Sequence, residues 1–261
     1  MNKITKVAQV LRKRGLLGTL KLVKNRLRGR RIKNYRVYQE LLQQKAGIEI
    51  GGPSGFFSRE VPVYDVVKSL DGVNFSSSTV WEGELTEGPT YTYGQGRTGH
   101  QFICDAVNLE RIQTGTYDFV LSCNNLEHIA NPLKALTEWL RILKPEGMLL
   151  LVLPFKESNF DHQRSYTTMA HLLDDFRNNT SEEDLAHLPE ILELHDLSMD
   201  APAGDFENFR KRSLANFQNR CLHHHVFSLD LLEEIFHFLQ VEVIAKDSTD
   251  TDLIILGRKT S

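Results

Sequence analysis

Apolar positions along this chain follow two rhythms. Short unbroken apolar runs, the mark of strands buried on both faces, occur at Gly47–Ile50, near Val73–Phe75, at Phe102–Cys104, at Tyr117–Ser122 and at Met148–Leu153. Between the last two, Leu133, Leu136, Leu140 and Leu143 recur on one helical face behind Asn131-Pro132. Pro132 suits the first turn of that helix, and Lys144-Pro145-Glu146-Gly147 ends it with a turn. Residues 36–45 predict another helix, leading into the first strand. Strands alternating with helices predict a parallel sheet. After Pro154 the pattern changes. Residues 157–229 are polar and helix-prone, and a connection of that length calls for a function. A helix over Leu229–Leu239 follows, then strands at Val241–Ala245 and Asp252–Leu256, spaced for an antiparallel pair with Asp247–Asp250 as the turn.

Composition changes this picture in two places. A chain of 261 residues, 41% hydrophobic and 25% charged, can build an ordinary core without metal or disulfide support. Three cysteines, Cys104, Cys123 and Cys221, are odd in number and far apart, which predicts free thiols in a reducing, cytoplasmic setting. Neither a membrane-spanning run nor a secretory signal is expected. The net charge of −3 conceals an asymmetry, because residues 1–36 hold 13 of the 31 Lys and Arg and no acid. In this arm Ile4, Val7, Leu11, Leu16, Leu20, Val23 and Leu27 recur at roughly helical spacing, loosened at Gly15 and Gly18. A basic amphipathic helix reads as an element for an anionic membrane surface or another polyanion. The alternatives are a helix packed on its own domain or on a sister subunit, and simple disorder. The absence of interleaved aromatics before Tyr35 speaks against nucleic acid.

The densest chemistry lies in Gly47-Ile48-Glu49-Ile50-Gly51-Gly52-Pro53-Ser54-Gly55, where a strand ends in a carboxylate and runs into a glycine-rich turn. Such a turn lets backbone approach a ligand closely, and its place at a strand end suggests a nucleotide-type ligand at the mouth of a parallel sheet. A later series is more specific in order and spacing: Tyr117-Asp118-Phe119-Val120-Leu121-Ser122-Cys123-Asn124-Asn125-Leu126-Glu127-His128-Ile129, then Pro132, then Leu143-Lys144-Pro145-Glu146-Gly147 through Pro154.

On these residues, the stretch from Gly47 to Pro154 resembles the class I S-adenosylmethionine-dependent methyltransferases, with a core like that of the type 11 methyltransferases. The resemblance implies a Rossmann-like α/β fold. Its sheet would have seven strands, mostly parallel, with the last antiparallel. S-adenosyl-L-methionine is the implied cofactor. Glu49 matches the acid that holds the cofactor's amino acid end. Gly51 and Gly55 match the first and last loop glycines, while Pro53 stands where the family has the middle one, stiffening the loop and removing a donor. Asn74 matches the acid that grips the ribose hydroxyls, with Asp71 as its rival. An amide there bonds more weakly than a carboxylate. Asp105 matches the acid that accepts from the adenine amine, and Asn124 sits beneath the methionine portion. Gly52 and Ala106 complete the expected cofactor set. Asp118 reads as structural. His128, paired with Glu127 at the strand–helix junction, reads either as structural or as catalytic.

The chain thus divides into a basic arm (1–36), a cofactor-binding core (37–156), a helical cap inserted after the fifth strand (157–229) and a closing helix and strand pair (230–261). The cap is expected over the ligand edge of the sheet. Asp161-His162-Gln163-Arg164-Ser165-Tyr166-Thr167-Thr168 resembles a stretch that follows strand five in some of these enzymes. His162 is a candidate base there, and Arg164 a candidate ligand for an anionic or sugar acceptor. In Cys221-Leu222-His223-His224-His225, the side chains of Cys221, His223 and His225 share a face if the segment is extended. No fourth ligand at metal spacing is evident, so no metal is assigned, and His223 or His225 is expected to line the acceptor pocket. The leading expectation is O-methylation of a polar acceptor, such as a sugar, polysaccharide or lipid-linked glycan, at the cytoplasmic face of a membrane. A non-catalytic methyltransferase-like module docking a partner and an RNA methyltransferase are the alternatives.

Overall fold

The structure, a computed structural model, describes residues 31–260. Most of the basic arm, and with it the amphipathic helix expected over residues 4–27, lies outside the described residues. Of the arm's described end, Ile32 is buried against the core and its N–H donates to Glu60 O.

Helix α1 (Tyr35–Leu42) leads into β1 (Ala46–Ile50), followed by a single turn α2 (Phe56–Arg59) and β2 (Ser69–Asn74). Two-residue strands β3 (Ser78–Thr79) and β4 (Gly83–Glu84) form a separate hairpin. Next come β5 (Gly88–Tyr93), β6 (Arg97–Ile103), β7 (Tyr117–Cys123), α3 (Pro132–Ile142) and β8 (Leu143–Pro154). Helices α4 (Met169–Asn178), α5 (Leu188–Leu194), α6 (Phe206–Leu214) and α7 (Asn216–Asn219) fill the insertion. Helix α8 (Leu229–Phe238) and strands β9 (Val241–Ser248) and β10 (Asp252–Lys259) complete the order.

The main sheet runs β5-β6-β2-β1-β7-β8-β10-β9. The β6–β2–β1–β7–β8 body is parallel, and β10 inserts antiparallel between β8 and β9. This is the Rossmann-like methyltransferase fold expected from the sequence, with the C-terminal hairpin in its expected place. An eighth strand is added, because β5 pairs antiparallel with β6 and becomes the sheet edge.

Strand β8 explains why its sequence is apolar throughout. Leu149, Leu151 and Leu153 face one layer, beside Leu136 and Trp139 of α3 and Leu232 and Ile235 of α8. Met148, Leu150 and Val152 face the other, beside Phe57, Tyr64 and Ile254. Side chains alternate across a strand, so covering both faces demands an unbroken apolar run. Helix α3 begins where Asn131 accepts from Lys134 N–H with Pro132 in the first turn, and α8 begins on Ser228, which accepts from Leu231 N–H. The insertion has its own small apolar cluster of Ile191, Ala203, Phe209 and Leu222. It then returns without helix or strand over 221–227 and joins the core where Thr167 N–H donates to Val226 O.

Candidate active site

A cavity of about 950 Å³ opens at the carboxyl ends of β1, β2, β6 and β7, and the insertion supplies its far wall. The loop after β1 forms the floor. Gly51 has φ +81°, a conformation that suits glycine. A Cβ there would lie 2.4 Å from Asn125 Nδ2. Pro53, Ser54 and Gly55 continue the lining; Gly52 does not reach it.

Glu49 is placed differently from the sequence expectation. It is fully buried and does not line the cavity. Its Oε2 accepts from the hydroxyls of Tyr64 and of Tyr91 (2.7 Å), and its Oε1 accepts from Ser54 N–H at 3.0 Å. Burial raises its pKa to about 7 despite these donors. The tyrosines therefore cover the carboxylate expected to meet the cofactor's amino group. Gly72 makes room for one of them, since a Cβ there would meet the Tyr91 ring at 2.1 Å.

The remaining cofactor candidates converge on the cavity. Asn74 lines it at the end of β2; its Nδ2 donates to Gly52 O at 3.1 Å, which leaves Oδ1 as an acceptor. Its rival Asp71 points elsewhere, accepting from Tyr117 OH (2.7 Å) and His100 N–H (2.7 Å). Asp105 and Ala106 line the cavity after β6, and Asn124, at φ +47°, lines it after β7. Asp105 is already engaged: Arg220 Nη2 lies 3.0 Å from its Oδ2, and Arg220 Nη1 lies 3.0 Å from Glu182 Oε2. Asp118 is structural, as expected, bonded to Ala46 N–H and Lys144 Nζ.

Of the acceptor-side candidates, His128 and His223 line the cavity, whereas His162, Arg164 and His225 do not. His162 is on the surface with Nε2 3.0 Å from Asp196. Arg164 is buried and faces inward, donating to Asp161 Oδ1 (3.0 Å), His223 O (2.8 Å) and His224 O (3.3 Å). A guanidinium so committed holds backbone and has few donors left for an acceptor. His225 is buried, with Nε2 3.3 Å from Ala130 O.

His223 Nδ1 lies 2.5 Å from Asp161 Oδ2, and its ring packs edge-on against His128, with centroids 4.5 Å apart. His128 Nδ1 lies 3.1 Å from Leu222 O, so it carries the proton and Nε2 is the free nitrogen. Burial resists the Asp161 charge, but His223 and Arg164 prevail and hold its pKa down to about 2. Burial likewise opposes charging of His223, and Asp161 outweighs it, raising the pKa above the usual imidazole value. For His128, burial and the neighbouring His223 outweigh the nearby carboxylates and drive its pKa well down. Glu127 is buried with its Oε1 4.0 Å from His128 Nε2, and burial raises its pKa to about 7.

Sequence reasoning missed Tyr64 and Tyr91 as the cover of Glu49, Arg220 as the partner of Asp105, and Trp81, which lines the cavity mouth with its ring 5.2 Å from that of His128. A tryptophan in a polar loop was the one signal available for these.

The methyltransferase domain family matches residues 48–151. No curated protein matches the chain. Among solved structures, a chain from the complex of the Haloferax volcanii Trm112 methyltransferase activator with a methyltransferase is similar at 14% identity. The alignment covers 91% of this chain and 92% of that one, with a TM-score of 0.50. A methyltransferase of Methanosarcina mazei is similar at 16% identity, over 87% and 99% of the two chains, with a TM-score of 0.46. One from Thermotoga maritima is similar at 17%, over 86% and 87%, with a TM-score of 0.44. Residues 48–151 thus carry a methyltransferase domain, in a chain with the fold of the class I S-adenosylmethionine-dependent enzymes.

The cavity fits that cofactor. Its volume falls in the range of small-molecule sites, roughly 300–1,000 Å³. Asn125 Oδ1, a buried polar atom on a lining residue, has no hydrogen-bond partner among the described residues and is available to a polar ligand.

Proposed function

We propose that this methyltransferase methylates an oxygen of a polar, ring-shaped acceptor, such as a sugar unit, seated between Trp81, His128 and His223. The observation that carries this reading is the Asp161–His223 pair at the cavity wall. Its Nδ1 is taken by Asp161, which leaves Nε2 for the acceptor. S-adenosylmethionine, when bound, supplies an activated methyl group, so the protein's task is alignment, exclusion of water and removal of one proton. The proposed cofactor contacts are the loop at Gly51 and Gly55, Asn74, Asp105, Ala106 and Asn124. His223 Nε2 accepts the hydrogen bond of the acceptor hydroxyl and receives its proton as the new bond forms. Asp161 fixes the imidazole orientation, and Arg164 fixes Asp161 while clamping the carbonyls of residues 223 and 224. Trp81 offers an apolar face with a polar edge, which suits a sugar ring.

The helical insertion is proposed as the acceptor-selective cap. The basic arm is proposed to hold the enzyme at an anionic membrane face from the cytoplasm. No helix among the described residues is long and apolar enough to cross a membrane. Labelled S-adenosylmethionine incubated with soluble sugars, lipid-linked glycans, proteins and RNA tests the acceptor class. Transfer to glycans that falls about 100-fold or more in Asp161→Asn, with cofactor affinity intact, supports the reading. Transfer confined to RNA or protein overturns it.

A further inference from the structure

We infer that the insertion holds a divalent metal ion of the zinc class between His171, His187, His225 and Asp175. Three separate segments deliver these groups. Helix α4 places His171 and Asp175 one turn apart on the same face, with His171 Nε2 3.2 Å from Asp175 Oδ2. The residue before α5 is His187, and its Nε2 lies 2.9 Å from His171 Nε2. The return segment contributes His225, whose Nε2 lies 3.8 Å from the same Asp175 oxygen and 3.3 Å from Ala130 O, a contact it gives up when it ligates an ion. One nitrogen from each imidazole falls within 4.8 Å of the others.

The donor chemistry is that of a closed four-ligand site. Zinc takes imidazole nitrogen and carboxylate oxygen at about 2.0–2.2 Å in a tetrahedron, so neighbouring donors lie roughly 3.3–3.6 Å apart. The His171–His187, His171–Asp175 and His225–Asp175 separations, 2.9, 3.2 and 3.8 Å, straddle that value, and the three imidazole nitrogens lie within 4.8 Å of one another. A second observation points the same way. Asp175 Oδ2 is buried and makes no hydrogen bond among the described residues, whereas Oδ1 accepts from Thr180 Oγ1 at 3.1 Å. The hydroxyl thus fixes the carboxylate with its other oxygen turned to the rings of His171 and His225. His187 Nδ1 faces Glu190 Oε2 at 3.9 Å, in the place of the outer carboxylate that commonly supports a metal-bound imidazole. His171 is partly exposed and gives an ion a way in; His225 closes the inner side.

None of the four residues lines the methyl-transfer cavity, so the site is separate from the chemistry proposed above. An ion there would pin α4, the start of α5 and the segment carrying His223 to one point. The expected role is to hold the shape of the insertion.

The test uses the untagged full chain, dialysed against chelator, then titrated with zinc by calorimetry and with cobalt by visible absorption. The expected result is one high-affinity equivalent, a tetrahedral cobalt spectrum and a metal-dependent rise in melting temperature. His187→Ala and His171→Ala should each weaken binding at least about 100-fold. Thr180→Val, which leaves every ligand in place, should weaken it about 10- to 100-fold. His128→Ala serves as the control for the other histidine cluster and should leave the affinity unchanged. Circular dichroism confirms that each variant is folded. No stoichiometric zinc binding by the folded wild type would overturn the inference. So would affinity that survives loss of His171 and His187 but falls with His128.

Discussion

Arg220, from the insertion, reaches Asp105 at the end of β6, guanidinium to carboxylate at 3.0 Å, while its other terminal nitrogen holds Glu182. One side chain thus ties the wall of the cavity to the carboxylate expected to receive the adenine amine. A half-buried ion pair of this kind is worth about 1–3 kcal/mol when one partner is removed. Arg220→Ala should therefore raise the cofactor dissociation rate about tenfold and speed proteolysis within residues 179–205. Stopped-flow displacement and limited digestion measure both. Wild-type values in each would show that the bridge holds nothing in place.

Glu49 gives a pH signature. Its pKa in the folded chain, about 7, lies above the ordinary 4.5, so the folded state binds the proton more tightly. That contribution to stability is complete below pH 4.5 and is lost as pH rises through 7, by on the order of 3 kcal/mol. Glu49→Gln removes the titrating group but keeps an acceptor for Ser54 and a polar partner for the tyrosines. Urea midpoints between pH 4.5 and 8 should fall in the wild type and stay flatter in the variant. Parallel curves would contradict this assignment.

Gly51→Ala should impair both folding and cofactor binding. The backbone conformation disfavours a side chain, and the new methyl would sit against Asn125. A loss of about 1–2 kcal/mol in stability is expected, with cofactor affinity reduced at least tenfold by titration calorimetry.

Trp81 is exposed at the cavity mouth, so its loss should leave folding intact. Trp81→Ala should raise KM for the acceptor about tenfold while cofactor Kd stays constant. A change confined to cofactor Kd would move Trp81 to the other half of the site.

Removal of residues 1–30 should abolish binding to anionic vesicles in flotation assays and leave the cofactor titration unchanged. An unfolded product would instead make the arm part of the core.

The fold was legible where burial on both faces left a signature. Strands β7 and β8 and the helix between them could be read directly, because their apolar runs and the Asn131-Pro132 start have few alternatives. Strand β5 escaped notice although Tyr91 and Tyr93 alternate with threonines, since its flanks are polar and glycine-rich. The site was legible only in part. Asp161 and His223 are 62 positions apart, and local pattern carries no record of a contact made across the whole insertion. Glu49 has the same neighbours in sequence whether it meets a ligand or two tyrosines. Its cover comes from Tyr64 and Tyr91, on segments that converge only in the folded chain.

The order of the strands also governs how the protein meets other chains. Among the described residues, both borders of the main sheet, β5 and β9, are paired with a strand on one side only. Such borders invite strand addition and aggregation unless they are blunted. Pro89 removes a donor from β5, and Glu242, Lys246 and Asp247 stud β9 with charge. The eighth strand thus moves the exposed border from β6 to a segment already spoiled for self-pairing, which favours solubility at high concentration.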